Sequence, residues 1–185
     1  RTSQGEFRGK KVIFLAREPR DVIVSLYHQQ KNRESLPWDI PELSEFIRAE
    51  RGAVRTIVAY YNIWLDNRDV PDDFLLVRYE DMLADAGSEL TRVLDLLGLD
   101  DVPEETVRNA VDFSRFDNMR KMEKKDSLGS GGLRPGDPEK ENSYKTRKGK
   151  AGGYREELAP EDIEFLDELI DHELSPEFGY GTDRR

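Results

Sequence analysis

The stretch Lys11-Val-Ile-Phe-Leu-Ala-Arg17-Glu-Pro-Arg-Asp21 decides the fold, because it combines the signals for a strand, a tight turn and a helix start. Residues 11–16 form a short, largely apolar run rich in strand-favouring side chains, which predicts a strand buried on both faces. Pro19 and Asp21 suit the first turn of a helix, which we expect to continue to about Asn32. A strand, a turn and a helix in this order are half of a β-α-β unit.

The same alternation continues along the chain. A second buried strand is predicted where Phe-Leu-Leu-Val occupies residues 74–77. Apolar residues at helical spacing predict helices at about 42–50, 53–67, 90–97, 103–113 and 160–174. Strands alternating with helices indicate an α/β class with a parallel sheet. Two strands make a thin sheet for this many helices, so we expect the N-terminal β-α-β part to be missing from this chain.

Length and composition restrict the function classes. The 185 residues suit a single domain spanning 1–185. A net charge of −10 argues against binding to nucleic acids or anionic membranes, and the chain has no apolar run long enough for a membrane span. There is no cysteine, and His28 and His172 are far apart, so we predict no disulfide, no metal centre and a cytoplasmic location.

Two polar clusters could bind an anion. Arg17 follows the first strand and Ser25 lies on the next helix, where unpaired N–H groups at the helix start favour phosphate. The second cluster is Arg147-Lys148-Gly149, in which the glycine allows close backbone approach to a ligand. Judged on spacing alone, ordinary solvated surface residues are the favoured explanation for each cluster.

Four segments taken together resemble a known pattern. They are residues 11–28, Tyr79-Glu-Asp-Met82, Ser114-Arg-Phe-Asp-Asn-Met119 and Arg147-Lys-Gly-Lys-Ala-Gly-Gly-Tyr154. In this order and spacing they resemble the landmarks of cytosolic-type sulfotransferases. Those enzymes have a P-loop-NTPase-like sheet flanked by helices and use 3′-phosphoadenosine 5′-phosphosulfate (PAPS) as the sulfuryl donor, leaving adenosine 3′,5′-bisphosphate (PAP).

The resemblance assigns roles to individual residues. It implies that the 3′-phosphate is bound by Arg17, Ser25 and Arg147, together with backbone groups near Lys148 and Gly149. It implies that the adenine is held by Tyr79, Ser114, Phe116 and Met119. The acceptor would be a hydroxyl or amine of a small molecule or carbohydrate, and no metal is implied. Residues 125–153 are expected to form a flexible loop that covers the cofactor.

The departures from the family pattern concern catalysis. The family's glycine-rich phosphosulfate loop with its lysine, and its histidine general base, lie upstream of every segment matched here, and no Gly-x-x-x-x-Gly-Lys pattern occurs. We therefore predict no catalytic residue in this chain, and expect an upstream segment or a separate chain to complete the site. The family's dimer segment is also altered, at Ala159-Pro160. The alternatives are a non-catalytic relative that binds PAP or another protein, and a nucleotide kinase of related fold.

Overall fold

The structure is a computed structural model that describes residues 4–33, 39–50, 52–127, 129 and 135–182. Its sheet consists of two parallel strands, β1 (Lys11–Ala16) and β2 (Asp73–Arg78). Their register runs from Lys11 opposite Asp73 to Ala16 opposite Arg78. Both predicted strands are therefore confirmed, and β2 is one residue longer at each end than its apolar run.

The described part of the chain contains eight helices. They are α1 (Pro19–Arg33), α2 (Leu43–Arg48), α3 (Val54–Asp66), α4 (Tyr79–Ala84), α5 (Ala86–Leu97), α6 (Glu104–Phe113), α7 (Phe116–Lys125) and α8 (Pro160–Glu173). The predicted helices are confirmed with small shifts at their ends. Helices α4 and α7 were not predicted, because their residues were interpreted only as family landmarks, at the end of the second strand and in an adenine-contacting turn.

The core lies on one face of the sheet. Alternation along β1 turns Phe14 and Ala16 inward, where both are buried. Helices α1, α3 and α8 pack together on this side. They contribute the buried residues Ile23, Val24, Val54, Val58, Tyr61, Leu166, Leu169 and Ile170. This core holds the carboxyl end of β1 and the start of α1, the first predicted phosphate-binding segment.

The opposite face of β1 is more exposed to solvent than the sequence predicted. The strand was predicted to be buried on both faces, but Ile13 is 42% exposed and Leu15 is 56% exposed. Lys11 lies on the same face and donates to the Leu96 carbonyl of α5. In the described part of the chain, α5 contacts both strands yet leaves these two side chains open. The apolar run thus predicted the strand correctly, but the prediction that both faces of the strand are buried was wrong.

Residues 135–153 pack against the domain although they contain little regular structure. Ser143 and Tyr144 are buried, and the short turn at Glu141–Ser143 contacts α1. The guanidinium of Arg120 lies 3.7 Å from the centre of the Tyr144 ring. Part of the predicted covering loop, residues 128 and 130–134, lies outside the described residues. Its flexibility stays a prediction.

Candidate functional site

A cavity of about 1010 Å³ lies beside the carboxyl end of β2. Its lining comes from α4, the start of α5, α6 and the junction between α6 and α7, together with one glycine of the C-terminal basic segment. Its size is at the upper end of the range of about 300–1000 Å³ usual for small-molecule sites. Five predicted cofactor residues line it: Tyr79, Ser114, Phe116, Met119 and Gly149.

The positions at which three helices begin or end place these residues at the cavity. Helix α4 begins directly after β2, which places Tyr79 at the carboxyl end of the sheet. Helix α6 ends at Phe113, and Ser114 caps it with its hydroxyl donating to the Ala110 carbonyl at 2.5 Å. Helix α7 then begins at Phe116. The ends of two helices thus bring the predicted adenine-binding residues Ser114 and Phe116 to the same wall of the cavity.

Gly149 and Phe116 are in close contact. Gly149 has a φ of +61°, and a Cβ atom there would lie 2.2 Å from Cδ2 of Phe116. No side chain fits at that distance, and the backbone conformation also favours glycine. The predicted phosphate-binding segment and the predicted adenine-binding ring therefore touch, although 33 positions separate them in the sequence.

Arg17 connects the phosphate side to this cavity. The hydroxyl of Tyr61 accepts from the Arg17 backbone N–H at 3.0 Å and donates to the Arg17 carbonyl at 2.9 Å. The guanidinium lies 4.5 Å from the centre of the Tyr79 ring and donates to the Lys150 carbonyl at 3.2 Å. Its Nε is buried and has no hydrogen-bond partner among the residues that the structure describes. A buried donor without a partner is costly, and an anionic ligand would satisfy it.

Ser25 and Arg147 meet at a second, smaller cavity of about 150 Å³. Its lining also includes Lys145 and His28. Ser25 is exposed on α1, two turns after Arg17. This site therefore combines one hydroxyl with two permanent cations and an imidazole, donors that suit a phosphate group. No site role was predicted for His28 or Lys145 from the sequence.

Glu157 neutralises part of this cationic cluster. Its carboxylate is hydrogen-bonded to Arg147, lies 2.7 Å from Nζ of Lys148 and lies 2.5 Å from Nε2 of His28. Burial alone would raise the pKa of Glu157, but hydrogen bonds from Lys148, Arg147 and His28 outweigh it and lower the pKa to about 2. Glu157 is therefore an anion at neutral pH. Nothing in the sequence pattern marks it, since its partners come from α1 and the basic segment.

Asp21 is a second residue whose contacts the sequence did not reveal. It was interpreted only as a favourable residue for a helix start. In the structure it is 3% exposed and accepts the backbone N–H groups of Gly152 at 2.8 Å and Tyr154 at 2.9 Å. Its carboxylate also lies 3.5 Å from Nη2 of Arg17. Asp21 thus joins the two predicted phosphate-binding segments.

The chain matches known proteins along most of its length. The model of the sulfotransferase domain family matches residues 7–177. A flavonol 3-sulfotransferase of Flaveria bidentis is 27% identical over 173 residues, covering 89% of this chain and 54% of the relative. Cytosolic sulfotransferase 14 of Arabidopsis thaliana is 28% identical over 176 residues, covering 89% and 48%. The chain spans about half the length of the curated relatives it matches.

Solved structures agree with the sequence matches. A retinol dehydratase in complex with retinol and PAP superposes with a TM-score of 0.68 at 25% identity, covering 87% of this chain and 46% of that one. A mouse sulfotransferase complexed with PAP gives a TM-score of 0.69, covering 89% and 58%, and its 21% identity supports the fold alone. Within the described residues, no helix is both long and apolar enough to span a membrane.

Proposed function

This chain belongs to the sulfotransferase domain family, and we propose that it supplies the 3′-phosphate and adenine sites of an enzyme that transfers a sulfuryl group from PAPS. The observation that carries the proposal is the buried Nε of Arg17, which has no partner within the described ranges of the chain. Its guanidinium stacks on Tyr79, which also lines the large cavity. One arginine therefore connects an anion-binding position to an apolar cavity suited to a purine.

The adenine would lie in the large cavity. Phe116 offers an aromatic face for stacking, and Met119 adds an apolar contact at the same wall. The Ser114 hydroxyl donates its proton to Ala110, so towards the base it can only accept, for example from the exocyclic amino group. This combination of one ring face and one edge contact fits a purine better than a sugar.

The 3′-phosphate would be bound by Arg17, Ser25 and Arg147, with help from the backbone near Lys148 and Gly149. Arginine suits this task because its planar fork can donate two parallel hydrogen bonds to a phosphate. Ser25 and Arg147 already line one cavity, and Arg17 reaches the same basic segment through the Lys150 carbonyl. PAPS, when bound, supplies the sulfuryl group. The residues named here bind and orient it.

The sites for catalysis and for the acceptor would lie in an upstream segment, either of the same protein or of a separate chain. The exposed apolar face formed by Ile13 and Leu15 supports further structure packing against β1. We propose a small-molecule hydroxyl or amine as the acceptor. The relatives named for flavonols and the structure with bound retinol are consistent with such acceptors.

Calorimetric titration with PAP tests the nucleotide site. We expect wild-type protein to bind PAP, and Arg17→Ala to weaken binding by about 10- to 100-fold, the loss expected for a charge-assisted hydrogen bond. Arg55→Ala is a matched control, because Arg55 is an exposed arginine whose partner is Glu173 on α8. An absence of PAP binding by the full-length protein, or equal losses in both variants, would contradict the proposal.

A transfer assay tests the enzymatic part. Full-length protein is incubated with PAPS and a panel of phenols, alcohols and amines, and sulfated products are detected by mass spectrometry. We expect at least one acceptor to be sulfated, and Arg17→Ala to reduce the rate. PAP binding without any transfer would instead support the alternative of a non-catalytic relative.

A further inference from the structure

We infer that Asp21 is a positioning residue that holds the basic segment 147–154 and the Arg17 guanidinium together, so that the 3′-phosphate site is formed before the nucleotide binds. This inference rests on the proposed function and adds a residue to it. The carboxylate would not touch the nucleotide. It would act through the backbone of the segment and through Arg17.

Both carboxylate oxygens of Asp21 are engaged by the C-terminal segment. Oδ2 accepts from the backbone N–H of Gly152, and Oδ1 accepts from that of Tyr154. Gly152 has a φ of +74°, which turns the chain so that these two N–H groups converge on one side chain. The carboxylate is almost completely buried, so water does not compete for these bonds.

Arg17 contacts both the C-terminal segment and the carboxylate of Asp21. Arg17 donates to the Lys150 carbonyl, two residues before Gly152, and its Nη2 lies 3.5 Å from Oδ2 of Asp21. The segment is thus attached to the start of α1 through its carbonyl at Lys150 and its N–H groups at Gly152 and Tyr154. Since Arg147, Lys148 and Gly149 precede these attachment points, their position relative to Arg17 depends on Asp21 as well as on Glu157, which holds Arg147 and Lys148.

The location of Asp21 at the start of α1 supports the same role. It lies in the first helical turn, where a negative charge is stabilised by the helix dipole. The cationic residues around it are Arg17 on the preceding turn and Lys148 and Lys150, whose side chains approach Gly153 next to the Asp21 carboxylate. An isolated buried carboxylate would repel a nearby phosphate, but this one is compensated by Arg17 and two N–H groups.

The decisive variant is Asp21→Asn, which keeps the size and one acceptor oxygen but removes the charge and one acceptor. We expect PAP affinity to fall by about 10-fold or more, since hydrogen bonds to an ionised group are roughly twice as strong as neutral ones. Adenosine 5′-monophosphate lacks the 3′-phosphate and uses the adenine cavity, so its affinity should change by less than about 2-fold. A purely structural role would weaken both ligands alike.

Asp162→Asn provides a matched control. Asp162 is also 3% exposed and also lies in the first turn of its helix, α8, but it bonds to Ser44 and Arg48 on α2. It should lose stability without changing the ratio of PAP to adenosine 5′-monophosphate affinity. Amide hydrogen exchange without nucleotide gives a second readout, in which Asp21→Asn should speed exchange at Gly152 and Tyr154 by about 10-fold or more.

The outcomes separate this inference from the proposed function. Equal losses for both nucleotides, an unchanged PAP affinity, or unchanged exchange at Gly152 and Tyr154 in Asp21→Asn would overturn the role of Asp21 and leave the nucleotide site intact. Failure of the wild-type protein to bind PAP would overturn the proposed function and this inference together.

Discussion

Replacing Glu157 with glutamine should weaken the fold in a way that depends on pH. The carboxylate holds Arg147, Lys148 and His28, and these bonds lower its pKa from an ordinary value of 4.5 to about 2. Each unit of displacement corresponds to about 1.4 kcal/mol, so the ionised form contributes at most about 3 kcal/mol to stability. Glutamine retains one carbonyl acceptor, and we therefore expect a loss of about 1–3 kcal/mol at neutral pH.

The sign of the pH dependence follows from the direction of the shift. The folded-state pKa of Glu157 lies below its unfolded value, so its contribution is complete above about pH 4.5 and is lost as the pH falls towards about 2. Urea unfolding of wild type and Glu157→Gln, followed by circular dichroism at a series of pH values, measures this contribution. Other carboxylates titrate in the same range, but they cancel in the difference between the two proteins.

Glu156→Gln is the appropriate control for this experiment. Glu156 is the sequence neighbour of Glu157 and pairs with Lys148 and Lys150, but it is exposed to solvent. Solvent screens such pairs, so the variant should lose less stability than Glu157→Gln. A stability difference for Glu157→Gln that does not shrink between about pH 5 and about pH 3 would refute the assignment of its charge to this cluster.

Three further substitutions test the packing around the site. Gly149→Ala should displace the Phe116 ring and reduce PAP affinity in calorimetry by about 10-fold or more, whereas Gly98→Ala, at a similar φ with nothing within 4 Å, should leave PAP binding unchanged. Glu123→Ala should remove the acceptor for the N–H groups of Lys145 and Thr146, with a stability loss of about 1–3 kcal/mol in urea and faster proteolysis of the basic segment. Leu166→Ala should lower the free energy of unfolding by about 2–5 kcal/mol, because this side chain is completely buried in the core.

Much of the fold could be predicted from the sequence because its signals are local. The apolar run at residues 11–16 and the periodicity between 53 and 67 each depend on neighbouring residues, and both elements formed as predicted. Gly98 ended α5 with a φ of +73°, as a helix-terminating glycine should. Helix α7 was missed although Phe116, Met119 and Met122 have helical spacing, because the landmark interpretation took precedence over the pattern.

Burial could not be predicted from the same signals. A run of apolar residues reports strand propensity, but which face of the strand is covered depends on elements elsewhere in the chain. Leu15 illustrates this, since it is as apolar as its buried neighbour Phe14 and yet more than half exposed.

The sequence predicted individual residues of the candidate site. Which of these residues lie together became known only from the structure. Nine residues were assigned through the resemblance, and five of them line one cavity. The residues that join the parts were not recognised, because their partners are distant in sequence: Asp21 and Gly152 are 131 positions apart, and His28 and Glu157 are 129 apart. A carboxylate at a helix start or near a basic segment is common for other reasons. Its presence in the sequence therefore does not indicate which distant residues it contacts.

The contacts of the cations predict which of them contributes most to phosphate binding. Arg147 and Lys148 already have the Glu157 carboxylate as a partner, so a phosphate gains their hydrogen bonds only by weakening existing ones. In the described part of the chain, Arg17 has a buried Nε without a partner, and a phosphate bonded to it would remove a penalty as well as add an interaction. Loss of Arg17 should therefore reduce PAP affinity more than loss of Arg147. A larger effect at Arg147 would mean that Glu157 releases it without cost when the nucleotide binds.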